Sequence, residues 1–356
     1  MRFKRKFKNY IMYRPIVLIG AGQLGAMILK MWPTDLRRPI MILDSKKTGS
    51  IHGVPIHPID GHKFDPEHIY LLSYFKEDPS VIRALFDEIE QELITVYDLL
   101  ELFSPDRFSN GWYANSFDFV RIMTTARLFQ DSESKAILRH VAHWKFRRKL
   151  RDNFVLKDES TKYNLEFVNP HHYTYDYVID GGSHDLHLYR SADFHNLSFR
   201  KYIAIEPDQE SPLFNALPER VSQDDRLEIV QKALVGIHAP RKLISNGLLS
   251  ARLVPGLAAD PQNVQVIKFI DLIDSIGISS HSRVLVKLHI EGPEFEVVSD
   301  AREILGQWKH IHLMINLSHN LESLIGIPRI LHRLGYTLKL ECHSLFGEGI
   351  TLYARM

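Results

Sequence analysis

Polar side chains that could move a proton alternate along one apolar stretch near the C-terminus. Lys287, His289 and Glu291 lie two residues apart at the end of a predicted buried strand. Side chains at this spacing share one face of a strand. His319 follows a second apolar run. A carboxylate or imidazole at a strand end can act as a general base towards a hydroxyl group, so Glu291, His289 and His319 are the candidate catalytic residues.

A second set of positions could bind a nucleoside. A glycine pair follows the predicted strand 175–179, and Glu206 ends the next strand, 201–205. Ligands of parallel α/β sheets bind outside the carboxyl ends of the strands. Backbone N–H groups can approach a ligand there, and Glu206 can accept two ribose hydroxyls or cap a helix instead. The candidate cofactor-binding residues are Asp180, Gly181, Gly182, Ser183, Glu206 and Lys287.

The N-terminal part carries a glycine motif of its own. Gly20, Gly22 and Gly25 follow a short apolar strand in the spacing G-x-G-x-x-G, and Asp44 ends the next strand. The first glycine permits a tight turn, the second lets a pyrophosphate approach, and the third allows close packing of helix on strand. An acid at this distance can bind a ribose hydroxyl. The motif predicts a second nucleotide site, or a turn kept only for packing.

The elements that position these residues alternate between strands and helices. Such alternation predicts an α/β protein with two Rossmann-like, doubly wound domains. The first domain spans residues 1–78, and a helical connector or cap spans 79–172. The second domain spans 173–356, and its last two strands, 336–342 and 350–355, are predicted to pair antiparallel.

Composition excludes several classes of protein. The formal charge of +1 gives no electrostatic reason to expect a nucleic-acid partner. The single cysteine, Cys342, excludes an internal disulfide and a cysteine-based zinc site. The histidine pairs 171–172 and 310/312 have spacings typical of surface histidines, so no metal ligand is assigned. No apolar run is long enough to span a bilayer. Gly20 and Gly22 interrupt the first apolar run, whereas a signal peptide needs an unbroken one, so a cytoplasmic location is expected.

The second domain resembles the FkbM-type S-adenosylmethionine-dependent methyltransferases. The resemblance covers about residues 175–356 and rests most on Val286-Lys-Leu-His-Ile-Glu-Gly-Pro-Glu-Phe-Glu296. Three further runs support it, namely Val178-Ile-Asp-Gly-Gly-Ser183, Ala204-Ile-Glu-Pro207 and Asp271-Leu-Ile-Asp274. Some family members also carry an N-terminal domain with a GAGxLG turn, which Gly20 to Gly25 matches. The resemblance implies a class I methyltransferase-type sheet with an antiparallel closing strand pair.

The resemblance also implies an activity. S-adenosylmethionine would be the cofactor, with a nucleotide in the N-terminal domain as a further expectation. The methyl acceptor would be a hydroxyl of a small molecule, a glycan or a nucleotide-linked sugar. Two positions depart from the family pattern: Leu186 replaces a usual glycine, where its side chain would crowd the cofactor, and His289 replaces a usual aspartate.

Two other functions are compatible with the sequence. The departures at Leu186 and His289 would suit a binding or scaffold protein that keeps the fold without the activity. The N-terminal turn would suit an NAD-dependent sugar-nucleotide oxidoreductase. Short-chain enzymes of that kind need a Tyr-x-x-x-Lys pair, and no tyrosine of this chain has a lysine four residues on.

Overall fold

The fold is that of a computed structural model. It describes residues 11–34, 36–73, 79–96, 98–99, 114–147, 150, 156–158, 162–208, 211, 221, 223–245, 251–257, 263–344, 346 and 349–356. The chain forms two compact units. The first comprises Met1–Ser116, His140–Asn153 and Ser344–Phe346, and the second Phe117–Arg139, Phe154–His343 and Gly347–Met356. Residues 79–172, the predicted connector, are divided between these units, and its boundaries remain a prediction.

The first unit is built on a five-stranded sheet. Its strands are β1 (Ile16–Ile19), β2 (Met41–Asp44), β3 (Gly49–Ile51), β4 (Val54–Pro58) and β5 (Ile69–Leu72). The order is β3-β4-β2-β1-β5, and only β3 runs antiparallel to its neighbour. All residues of β1 are buried, because a central parallel strand is covered on both faces.

The second unit contains a seven-stranded sheet. Its strands are β6 (Tyr175–Gly181), β7 (Phe199–Ile205), β8 (Leu227–Val230), β14 (Val284–Leu288), β15 (Ile311–Asn316), β16 (Thr337–Cys342) and β17 (Ile350–Arg355). The order is β16-β17-β15-β14-β6-β7-β8. Strand β17 is antiparallel to both of its neighbours, and the other pairings are parallel. The predicted antiparallel closing pair is therefore confirmed.

Helices connect the strands in both units. They are α1 (Gln23–Lys30), α2 (Pro79–Glu88), α3 (Ser116–Thr125), α4 (Ser132–Arg147), α5 (His187–Arg190), α6 (Phe269–Ile276), α7 (Glu294–Asp300), α8 (Arg302–Gln307) and α9 (Leu321–Arg333), with a 3₁₀ turn at Ala126–Leu128. Within the described ranges, no helix has both the length and the apolar character needed to cross a bilayer.

The region between β8 and β14 differs from its prediction. The predicted strand 227–233 is two strands, β8 and β9 (Ala233–Val235). The predicted extended segment 264–270 ends in helix α6, whose Asp271 lies in the first turn. A small antiparallel sheet contains β10 (Arg241–Ser245), β11 (Ala251–Pro255) and β12 (Asn263–Val264). The remaining strand, β13 (Val266–Lys268), pairs with β9. These short segments lack the apolar run that identifies a core strand.

In the second unit, the buried Tyr175 contacts the half-buried His312. Tyr175 Oη and His312 Nδ1 are 2.7 Å apart. Burial, together with the charge of Arg355, lowers the pKa of His312 to about 4. The unfolded chain, with a histidine pKa near 6.5, therefore takes up this proton at a higher pH than the folded protein does.

We expect this histidine to make the second unit sensitive to acid. Because its pKa is depressed in the folded state, its contribution to stability is present above about pH 6.5 and lost as the pH falls through 4, by about 2–3 kcal/mol. Denaturant unfolding at pH 7 and pH 4.5 should show a smaller loss for His312→Gln than for the parent. The exposed His281 provides the control, and an equal loss in His312→Gln and His281→Gln would contradict the assignment.

Candidate active site

A glycine turn after β6 crosses the end of β14 at very close range. Gly182 has φ +73°, and its N–H donates to the Ile205 carbonyl at 2.9 Å. A Cβ atom at this position would lie 1.9 Å from the His289 carbonyl oxygen. Glycine is therefore required at residue 182 by both its backbone conformation and this contact.

A buried ion pair lies under the glycine turn. Lys287 Nζ is 2.8 Å from Asp180 Oδ1, and the two side chains are 5% and 1% exposed. The same ammonium donates to the Gly182 carbonyl at 2.7 Å, and Tyr202 Oη donates to Asp180 Oδ2. Burial lowers the pKa of Lys287, but the Asp180 charge outweighs it, so the net shift is upward. Asp180 and Lys287, two of the predicted cofactor-binding residues, thus contact each other, and Lys287 also contacts the turn.

The rest of the turn is fixed by Ser183 and Leu186. Ser183 Oγ donates to the Asp180 carbonyl at 2.6 Å and accepts the Ile205 N–H at 3.0 Å, which ties β6 to β7. Leu186 adopts the left-handed conformation (φ +58°) just before α5, and its fully buried side chain packs among core residues of the second unit. The sequence predicted that Leu186 would crowd a cofactor, but its side chain packs in the core instead.

Glu206 lies at the end of β7, beside the turn. Its Oε2 accepts the His184 N–H at 3.0 Å, and its Oε1 accepts the Asp208 N–H at 2.9 Å. Burial raises the pKa of Glu206, and these two hydrogen bonds only partly oppose that effect. A carboxylate offers about four acceptor positions, so two backbone bonds leave capacity for two hydroxyl groups.

His289 is held by two partners beyond the end of β14. Asn316 Oδ1 accepts the Ser318 N–H at 2.7 Å, so its Nδ2 faces His289 Nε2 at 3.2 Å. Nε2 then accepts, and Nδ1–H donates to Tyr163 Oη at 3.1 Å. Burial and the charge of Lys162 lower the pKa of His289 to about 3, so the ring is neutral at physiological pH.

His319 lies between two carboxylates. Its Nδ1 is 2.6 Å from Glu294 Oε1, and its Nε2 is 3.3 Å from Glu291 Oε1. Burial opposes protonation, but the charges of Glu291 and Glu294 raise the pKa of His319 to about 10. Burial likewise raises the pKa of Glu291, but the charge of His319 outweighs it and keeps that pKa well below its usual range.

The loop that carries Glu291 has an unusual backbone. Glu291 has φ +57° and Gly292 has φ +131°. The buried Glu294 carboxylate holds this loop by accepting the N–H groups of Ile290 and Gly292, each at 3.0 Å. A left-handed conformation at a non-glycine residue is unfavourable and is frequent at functional sites.

The three predicted catalytic residues therefore come together. Single ligand atoms of His289, Glu291 and His319 all lie within 4.8 Å of one another. The sequence did not identify Tyr163, Asn316 and Glu294 as members of this site. Glu294 stood in the motif 286–296, but Tyr163 lies in a segment without periodicity, where no pattern could have found it.

The glycine motif of the first unit forms the turn that its spacing predicted. Gly20 has φ +103°, and a Cβ atom at Gly25 would lie 2.5 Å from the Gly20 carbonyl oxygen. Asp44 Oδ2 accepts the Ala21 N–H at 2.7 Å. Burial raises the pKa of Asp44, but hydrogen bonds from the backbone N–H groups of Ala21, Lys46 and Lys47 lower it overall. The Asp44 carboxylate thus binds the turn itself. A nucleotide at this site stays a prediction.

Comparison with known proteins places this geometry in context. No family model and no curated sequence matches the chain. The structure of methyltransferase FkbM from Methylobacillus flagellatus KT aligns with 99% of this chain and 92% of its own, at 17% identity and a TM-score of 0.62. Precorrin-6y C5,15-methyltransferase from Geobacter metallireducens GS-15 aligns with 57% of this chain and 92% of its own, at 14% identity and a TM-score of 0.30.

The first of these likenesses establishes the fold. The chain is a mixed α/β protein whose seven-stranded sheet is of the class I methyltransferase type, as the sequence predicted. More particularly, it has the fold of the FkbM methyltransferase structure.

Proposed function

We propose that the protein is an S-adenosylmethionine-dependent methyltransferase of the FkbM type, acting on a hydroxyl of a small molecule, a glycan or a nucleotide-linked sugar. The observation that carries the proposal is the position of Glu206, a carboxylate at the tip of β7 that binds the turn after β6. In parallel α/β sheets, ligands lie outside these strand ends. The FkbM fold supports the same assignment.

The residues of the turn would hold the cofactor. Glu206 would accept the two ribose hydroxyls of the adenosyl group. The backbone of Gly181 and Gly182 would lie against the cofactor, and the pair of Asp180 and Lys287 would keep that backbone in place from below. S-adenosylmethionine supplies an activated methyl group on a sulfonium.

Glu291, with His289 and His319, would orient the acceptor. Methyl transfer forms a carbon–oxygen bond as the carbon–sulfur bond breaks, and the products are a methyl ether and S-adenosylhomocysteine. The acceptor oxygen becomes strongly acidic as the new bond forms. A carboxylate of low pKa such as Glu291 can therefore take its proton.

We expect the protein to bind S-adenosylmethionine and S-adenosylhomocysteine in calorimetric titration. Glu206→Gln should weaken both affinities by about 10- to 100-fold, because hydrogen bonds to a charged acceptor are lost. The matched control is Glu303→Gln, which changes an exposed glutamate of α8 and should leave both affinities unchanged. A folded protein that binds neither ligand would contradict the proposal and favour a scaffold role.

A further inference from the structure

We propose that His289, Glu291 and His319 form a binding site for one divalent transition-metal ion. The three residues lie in the second unit, where they follow β14 and β15. The proposal goes beyond methyl transfer and does not depend on it. Two imidazoles and one carboxylate are a ligand set typical of catalytic zinc and non-haem iron sites.

The separations of the ligand atoms fit a small coordination sphere. Glu291 Oε1 lies 3.3 Å from His289 Nε2 and 3.3 Å from His319 Nε2. Ligands at about 2.0–2.1 Å from a tetrahedral zinc ion are about 3.3 Å apart. All three ligand atoms lie within 4.8 Å of one another, so one ion could contact this carboxylate oxygen and both imidazoles if the two imidazole nitrogens moved closer together.

Both imidazoles direct Nε2 towards the proposed ion, and in His319, which is protonated between the two carboxylates, the ion would displace the proton on Nε2. The Nδ1 atom of His289 is engaged with Tyr163 Oη, and the Nδ1 atom of His319 with Glu294 Oε1. In each ring this leaves Nε2 directed towards Glu291. A histidine that binds a metal almost always donates its other N–H to a carboxylate or another polar group, which fixes the tautomer and the ring orientation.

The contacts at His289 favour a cation over a simple hydrogen-bonded cluster. Because Asn316 donates to Nε2, no hydrogen lies between that nitrogen and Glu291 Oε1, and two acceptors face each other at 3.3 Å. A cation between them would turn this repulsion into attraction. The ion would replace the 3.2 Å contact with Asn316.

The backbone of the loop supports the same site. Glu291 adopts its left-handed conformation while Glu294, which is fully buried, binds the loop and His319 together. This conformation is unfavourable in itself, and the surrounding contacts maintain it. The sequence grouped the three residues as catalytic candidates and assigned no metal to them, because the distances between their ligand atoms depend on how β14 and β15 pair.

The test is a titration of chelator-treated protein with Co²⁺, in which the visible absorbance of the bound Co²⁺ is measured. Zn²⁺ is then added to compete for the same site. We expect one ion per chain with a dissociation constant of about 1 μM or tighter. His289→Gln, Glu291→Gln and His319→Gln should each weaken binding by about 100-fold or more, and Glu294→Gln by about 10- to 100-fold. His310→Gln, at an exposed position, should have no effect.

Three results would overturn the proposal. These are a folded protein without a one-to-one Co²⁺ complex, ligand variants that bind as tightly as the parent, and Mg²⁺ binding as tight as that of Co²⁺, since Mg²⁺ prefers oxygen ligands. Circular dichroism identifies any variant that fails to fold, and the Co²⁺ spectrum of the parent then decides. The titration contains no S-adenosylmethionine, so failure of cofactor binding is a separate result.

Discussion

Replacement of Lys287 by methionine is expected to destabilise the second unit by about 3–5 kcal/mol. Methionine keeps most of the length of the side chain but removes the ammonium, which leaves the 1%-exposed Asp180 without its cation. The Gly182 carbonyl loses its donor as well. Urea denaturation, followed by tyrosine and tryptophan fluorescence and by hydrogen exchange of β6 and β14, measures the loss.

An exposed pair in the same sheet provides the matched control. Lys201 and Glu228 form an ion pair between β7 and β8, with side chains 39% and 42% exposed. Lys201→Met should cost no more than about 1 kcal/mol, because solvent screens this pair. Adding Asp180→Asn to Lys287→Met should recover part of the loss, since the uncompensated charge is removed. Equal losses for Lys287→Met and Lys201→Met would show that the buried pair is not the support of the turn.

Much of the fold follows from local patterns in the sequence. Short apolar runs that end in Gly or an acid identified the central strands, because strands of a parallel sheet are buried on both faces and turn at their ends. Strand alternation placed His289 and Glu291 on one face. The spacing of Gly20, Gly22 and Gly25 identified the turn in the first unit for the same local reason.

Contacts between distant segments could not be predicted from the sequence. Lys287 meets Asp180 because β14 and β6 pair in a register that places these two residues side by side. Tyr163 reaches His289 from a segment with no apolar period, 126 residues away. Neither pairing leaves a local signal, since each depends on how the strands assemble.

The acids at strand ends show a related limit. The sequence predicted that Asp44 and Glu206 accept ribose hydroxyls, and in the structure each also accepts a backbone N–H group of a neighbouring turn. Sequence spacing cannot separate these roles, because an acid suited to a hydroxyl is equally suited to an N–H group. Leu186 shows the same limit, because the sequence predicted that its side chain would crowd a cofactor, whereas in the structure the residue has a left-handed backbone and its side chain packs in the core.

Substitution of Gly182 by alanine is expected to have the largest effect on the candidate site. A Cβ atom there would overlap the His289 carbonyl, at 1.9 Å, and the positive φ adds about 1–2 kcal/mol. The overlap involves backbone on both sides, so the turn or the end of β14 must move. We expect a total loss of about 3–5 kcal/mol in the free energy of unfolding, together with loss of the proposed S-adenosylmethionine binding.

Gly277 separates the two causes of this effect. It has nearly the same left-handed conformation, φ +74°, after α6, but a Cβ atom there would meet no atom within 4 Å. Gly277→Ala should therefore cost only about 1–2 kcal/mol and leave the proposed cofactor binding intact. The difference between the two alanine variants measures the close approach of the turn to His289. If urea denaturation gave the same loss for both, the backbone conformation alone would account for Gly182, and the turn would not need to lie against β14.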